Sequence, residues 1–366
     1  NISGSSIMLD NIYQSMLSLG CDIYLINFID TINQLNGTKN HGQSSLRDRV
    51  GEKIFNEFLI NHKKKQFNLF ISFADSSILS PQFYSELNNN NVYTVNFSCN
   101  YHQFEELHKE IAPFINLNTY VNLPHKKAYD DINAKCYWLP FAANQKLYKK
   151  STHKLNDISF IGSCYGNRPY YLLRILQNNI DINIYGLGWE LKMELFRHLY
   201  FSMSSFFIND ENRLRNVEKN KFDIIKNLLN NKYSGNIHGE ISDNKMIEIY
   251  SSSKIIINFP ESRFNHDYYN PNVLFGCNLR DFEVPMSGSM LITQFSEELE
   301  HFFVDGEEVI SFNNEFEMID KIKYFLRHDH KLERIAIKGY ERAIKDHTWE
   351  NRFSTLFDFL KNDKII

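Results

Sequence analysis

What most constrains this chain is an alternation of short apolar runs with helical patterns, sustained almost from end to end. Strand-like runs fall at Asp22–Phe28, Phe67–Phe73, Val92–Phe97 and Asn116–Val121. They resume at Ile158–Ile161, Ile182–Tyr185, Lys254–Phe259, Ser289–Thr293 and Glu308–Phe312. In the first half, helical patterns fill the gaps at Ser5–Leu19, Leu46–Lys64, Pro81–Asn88 and Glu105–Ile111. In the second half they lie at Arg168–Gln177, Asn212–Asn230, Asp243–Ser252, Ser296–Phe303, Phe316–Arg327, Lys331–Lys345 and Trp349–Leu360. Strand and helix in strict alternation are the βαβ signature of doubly wound parallel sheets, so the expected fold class is α/β.

The alternation pauses once. "CYWLPFAANQKLYKKSTHKLND" (Cys136–Asp157) holds one apolar strand, then Pro140, then a Lys-rich polar run. It reads as a connection between two α/β units, with expected bounds 1–145 and 146–350, and a length of 366 residues suits two domains. Two such units put a cleft between them, and open α/β sheets bind ligands beyond the carboxyl ends of their strands. The chain begins at Asn1 without Met, which leaves open whether residues precede it, a whole first strand included.

A net charge of −4 gives no electrostatic basis for binding nucleic acid. Lys63-Lys64-Lys65 reads as a solvated helix end. Cys21, Cys99, Cys136, Cys164 and Cys277 form no CxxC pair, which points to reduced thiols and a cytoplasmic location rather than to zinc or disulfides. No run approaches the ~18–20 apolar residues of a membrane span, although peripheral association stays open. DxD, HExxH, GxSxG and GK[ST] are absent, Asp130-Asp131 makes no convincing metal site, and no metal is expected.

Four stretches carry residues with chemistry. In "NLRDFEVPMSGSMLIT" (Asn278–Thr293), Pro285 belongs in a first helical turn, which places the helix start near Asp281 and its end at Gly288. The amides from Gly276 to Phe282 would then form an anion site. Arg280 and Glu283, three residues apart, would share one side, either binding a nucleotide diphosphate and its ribose or forming a structural pair. In "FIGSCYGNRPYY", Gly162 ends a strand and Arg168 opens a helix, either a phosphate loop or a plain βα turn. "IYGLGWE" offers Tyr185 and Gly186, and "IHGEIS" offers His238 and Gly239, where His238 could meet a base or simply fill a turn. "NISGSSIMLDN" is a Gly/Ser loop opening a helix, with Gly4–Ser6 placed to touch a ligand or cap the helix.

These stretches, in this order and together with "GEEVISF" and the C-terminal run from Lys321 to Arg352, resemble the C-terminal half of CgeB-like (spore maturation protein) glycosyltransferases. Those are similar to GT-B enzymes of the group 1 and family 4 type. The likeness covers roughly Asp157–Phe353, and the first half is matched mainly by "YWLPFAAN". It implies two Rossmann-like domains facing a cleft, an acceptor-side first domain, and a helix over 351–366 that crosses back to it. It also implies a nucleoside diphosphate sugar donor, UDP-sugar favoured, with no cofactor and no metal. The acceptor would be a hydroxyl of a glycan, lipid or protein. Glu283 looks like the second glutamate of the E-x7-E element, which contacts ribose, and Phe275 stands where the first would be. Where many relatives carry an acidic cluster, this chain has Ser98-Cys99-Asn100. His102 and Asp75 are candidate bases, each also readable as structural; acceptor contacts are expected near Gly4–Ser6, Asp75 and Ser98–His102. Two other readings stay open: another nucleotide-sugar enzyme such as an epimerase, and a non-catalytic binding module of the same fold.

Overall fold

The computed structural model of the chain describes residues 7–36, 45–98, 104–190, 210–260 and 276–362; for residues 7, 8, 36 and 210–220 it describes the backbone alone. The chain divides into two compact units, Asn1–Phe141 with Trp349–Ile366, and Ala142–Thr348. Among the described residues, no helix is long and apolar enough to cross a membrane.

The first unit holds α1 (Ile7–Ser18), α2 (Phe28–Asn36), α3 (Leu46–Lys64), β1 (Leu69–Ser72), α4 (Pro81–Asn89), β2 (Tyr93–Phe97), β3 (Leu117–Tyr120), α5 (Lys126–Asp130) and β4 (Cys136–Trp138). The strands form one parallel sheet in the order β1-β2-β3-β4. Local chemistry sets the helix starts: Ser45 and Ser80 each accept a bond from an amide three residues on, and Pro81 occupies a first-turn position that needs no amide hydrogen. Val50, Ile54 and Phe58 of α3 then pack with Phe83 and Leu87 of α4 in the core.

Two expectations fail in this unit. Residues 21–27 form no strand. Their apolar content is real, but Tyr24 and Leu25 are both exposed, and the contacts the segment makes with α3 and its end are between side chains: Tyr24 donates to Glu57, and Asp22 pairs with Lys65. The expected helix at Glu105–Ile111 is instead a single wide turn over Phe104–His108, closed by Lys109 N donating to Phe104 O at 2.8 Å.

The second unit holds β5 (Asn156–Ile161), α6 (Arg168–Gln177), β6 (Asn183–Tyr185), α7 (Asp210–Lys232), α8 (Asp243–Ser252), β7 (Ser253–Asn258), α9 (Leu279–Met286), β8 (Met290–Gln294), β9 (Ile310–Phe312), α10 (Glu315–Leu326) and α11 (Asp329–Asp346). Its parallel sheet runs β6-β5-β7-β8-β9. Both faces are covered, so Ile255, Ile257, Met290 and Ile292 are wholly buried and the central strands read as continuous apolar runs. Entry and exit of the chain are tied together within this unit: Ala143 N donates to His347 O at 3.1 Å. The last helix, α12 (Trp349–Asn362), belongs to the first unit, where Trp349 meets Phe97 at 5.7 Å and Phe359 meets Tyr137 at 4.9 Å. The fold is thus a pair of Rossmann-like α/β units.

Candidate functional site

In the second sheet the strand order reverses between β5 and β7, so the crevice for a ligand lies beyond their carboxyl ends. Arg168, the first residue of α6, spans this point. Its Nη1 donates to Ser163 O (3.1 Å) beyond β5, and its Nη2 donates to Phe259 O (2.8 Å) beyond β7. The guanidinium stacks over Tyr165 at 3.8 Å, and the residue is only 2% exposed. Its terminal nitrogens are therefore engaged with main-chain carbonyls, and it fastens together two loops that share no ladder.

Beside it, the turns after β5 and β6 press backbone to backbone. A Cβ on Gly186 (φ 134°) would lie 2.3 Å from Gly162 O, so only glycine fits there. Gly162 N donates to Tyr185 O (2.9 Å), and Gly186 N donates to Gly239 O (2.6 Å). The His238 ring stacks on Tyr185 at 4.7 Å and meets Asn183 through Nε2 at 2.8 Å. Gly162, Arg168, Tyr185, Gly186, His238 and Gly239 therefore form one contiguous edge, with a pair of flat rings at its rim.

Asn278, Arg280 and Glu283 lie further along the same edge. Helix α9 begins at Leu279, two residues before the position inferred from Pro285. The cause is a capping box: Arg280 N donates to Asn278 Oδ1 (2.9 Å) while Asn278 N donates to Asp281 Oδ2 (2.8 Å). Pro285 lies inside the helix rather than in its first turn; it cannot donate to Asp281 O, and the helix ends one residue later at Met286. Asn258 at the end of β7 and Thr293 of β8 both donate to Asp281 Oδ1 at 2.8 Å, which pins the helix start to the carboxyl end of the sheet. Part of the expected amide cradle for an anion is taken by the protein's own side chains: besides the two cap bonds, Cys277 N donates to Glu298 Oε2 (2.9 Å).

That leaves the Arg280 side chain. Its buried Nε has no hydrogen-bond partner among the described residues, and the guanidinium lies against the fully buried hydroxyl of Tyr250. Burial acts to lower the Arg280 pKa, but the fields of Tyr250, Tyr165 and Glu283 outweigh it and hold the value above the ordinary one. Glu283 is 3% exposed and accepts a bond from the Tyr148 hydroxyl at 2.6 Å. Burial pushes its pKa up to about 7, against the opposing pull of Tyr148 and Arg280. Tyr148 was not singled out from the sequence. It lies in the connector, 135 residues from its partner, and no local pattern marks it.

In the first unit, Asp75 follows β1 and shapes a turn, accepting from Ser77 N at 2.9 Å through Oδ1 and from the amides of Ile78 and Leu79 through its carbonyl. His102, Cys99, Asn100, Phe275 and Gly4–Ser6 lie outside the described residues. A histidine the sequence reading passed over, His108, is buried with Nε2 at 3.2 Å from Ser98 Oγ; burial lowers its pKa while Asp75 acts the other way.

Residues 170–358, more than half of the chain, match the glycosyl transferase-like family. By sequence, no curated protein matches. Among solved structures, HepE from Anabaena in complex with UDP and glucose is similar at a TM-score of 0.57 and 9% identity, over 92% of this chain and 89% of that one. A glycosyltransferase from Rickettsia africae gives 0.54 and 12%, over 91% and 87%. Sucrose-phosphate synthase from Thermosynechococcus elongatus gives 0.52 and 11%, over 88% and 80%. At these identities the likeness establishes a GT-B fold.

Proposed function

We propose a function from one premise: the chain belongs to the glycosyl transferase-like family. It moves a sugar from a nucleoside diphosphate sugar, with a UDP-sugar favoured, to a hydroxyl of a glycan, lipid or protein acceptor. The second unit holds the donor and the first unit receives the acceptor. The observation that carries this is Arg280, a cation at the carboxyl edge of the sheet whose Nε is unspent among the described residues, while the amides of Cys277, Asn278 and Arg280 are engaged by the protein's own side chains. The donor's diphosphate fits that guanidinium. As the bond to the sugar breaks, negative charge grows on the leaving phosphate, and a pre-placed cation in a water-poor site lowers the barrier without a divalent metal. Glu283 accepts from the ribose hydroxyls, and the Tyr185–His238 rings flank the base. UDP is favoured because HepE, of the same fold, was solved with UDP and with UDP-glucose.

The test is a thermal-shift screen of nucleotide sugars, followed by release of nucleoside diphosphate with and without EDTA. A ligand at ~100 times its Kd adds ~2.7 kcal/mol of stability. Turnover should persist in excess EDTA. Loss with chelator and recovery with Mn²⁺ would overturn the metal-free mechanism. Binding without turnover across acceptors would favour a non-catalytic module.

A further inference from the structure

We infer that Tyr148, from the connector that opens the second unit, is the positioning residue for Glu283, fixing one carboxylate oxygen so that the other faces the donor ribose. The inference rests on the reading of Glu283 given above and adds the group that makes it work. A carboxylate swings about its last bond unless one oxygen is held. Tyr148 is wholly buried and donates to Oε1 at 2.6 Å, a short charge-assisted length. Oε2 is thereby left as the acceptor.

The same bond has an electrostatic consequence. Several groups face Glu283: Arg280 and Asp281 on its own helix, Asp243 and Tyr250 on α8, and Tyr148 from the connector. Burial raises the Glu283 pKa most, and Asp243 and Asp281 add to the rise; Tyr148 and Arg280 favour the ionised form. With the carboxyl near pH 7, removing one of its two supports makes it neutral at physiological pH and costs it the stronger, charged acceptor. Tyr148 thus touches neither sugar nor phosphate, yet governs how well the ribose is read.

The experiment is calorimetric titration of UDP into the full chain from pH 6 to 9, for the wild type, Tyr148→Phe and Glu283→Gln. Wild-type affinity should rise with pH through the Glu283 midpoint. Glu283→Gln should bind more weakly with no such dependence. Tyr148→Phe should lose roughly tenfold at pH 7, the equivalent of one pKa unit, and recover toward wild type by pH 9. A Tyr148→Phe protein that matches wild type at every pH overturns the positioning role, and one weakened equally at every pH overturns its electrostatic consequence. An unchanged Glu283→Gln protein overturns the ribose reading instead. Because Phe keeps the ring, the fold should hold. Genetically encoded 3-fluorotyrosine at 148, a stronger donor, supplies the opposite arm and should move the midpoint down; an upward move counts against the inference.

Discussion

Two arginines stand near the starts of two helices along one sheet edge, and they have opposite employment. Arg168 opens α6 and gives both terminal nitrogens to carbonyls beyond β5 and β7. Arg280 lies in the first turn of α9, whose start is already satisfied by Asn278 and Asp281, and its Nε is left over. Residue type and topological place are nearly the same. The difference lies in where the carbonyls and carboxylates are: loose strand ends surround Arg168, whereas a completed cap surrounds Arg280. An arginine near a helix start is a ligand group only when the protein has already met its backbone needs some other way.

Arg168→Ala should show the largest effect. It leaves two carbonyls unsatisfied next to a cavity and removes the cation over Tyr165, a loss of about 3–5 kcal/mol in unfolding free energy, readable by urea titration. Arg280→Ala should instead keep the fold while weakening UDP binding by roughly 1.5–3 kcal/mol, the scale of bonds to charged groups, as measured by calorimetry. If Arg168→Ala folds normally and loses UDP, or Arg280→Ala unfolds, the contrast between them is broken.

The smallest effect sharpens the contrast by pH. Burial holds the proton on Glu283 in the folded chain up to about 7, well above the ordinary glutamate value of about 4.5. Between those values the folded state binds more protons than the unfolded one, so this group's contribution to stability falls as pH rises through the window. Glu283→Gln removes that penalty. Without ligand, the variant should match wild type near pH 5 and gain on the order of 1–2 kcal/mol by pH 8 in thermal unfolding. A gap that does not widen with pH would mean the carboxyl is not held protonated.

Much of the architecture was legible because it is written locally. Apolar runs such as Lys254–Phe259 and Ser289–Thr293 mark buried parallel strands, and Ser45, Ser80 and Gly288 punctuate helices where their chemistry requires. Gly162 and Gly186 were legible as glycines just past the ends of β5 and β6, and Tyr185 as the last residue of β6. What was hidden depends on distance along the chain. The use of Arg168 is decided by Phe259 O, 91 residues away, and the environment of Glu283 by Tyr148. The segment 21–27 misled because its apolar residues neither pair in a ladder nor bury: Tyr24 and Leu25 stay exposed. His108 was missed because a wide turn, not a regular helix, points it inward beside Ser98.

The chain's division has a consequence for how the protein is made. Helix α12 completes the first unit, yet it is synthesised only after all of residues 142–348. At roughly 5–20 residues per second, the first unit waits on the order of 10–40 s on the ribosome for Trp349 to reach Phe97. The second unit faces a similar wait, because its entry at Ala143 meets its exit at His347, only two residues before Trp349. Both closures therefore wait on the same few residues, and the first unit carries uncovered aromatic rings for as long as residues 142–348 are being made. That interval is when a nascent-chain chaperone would be needed.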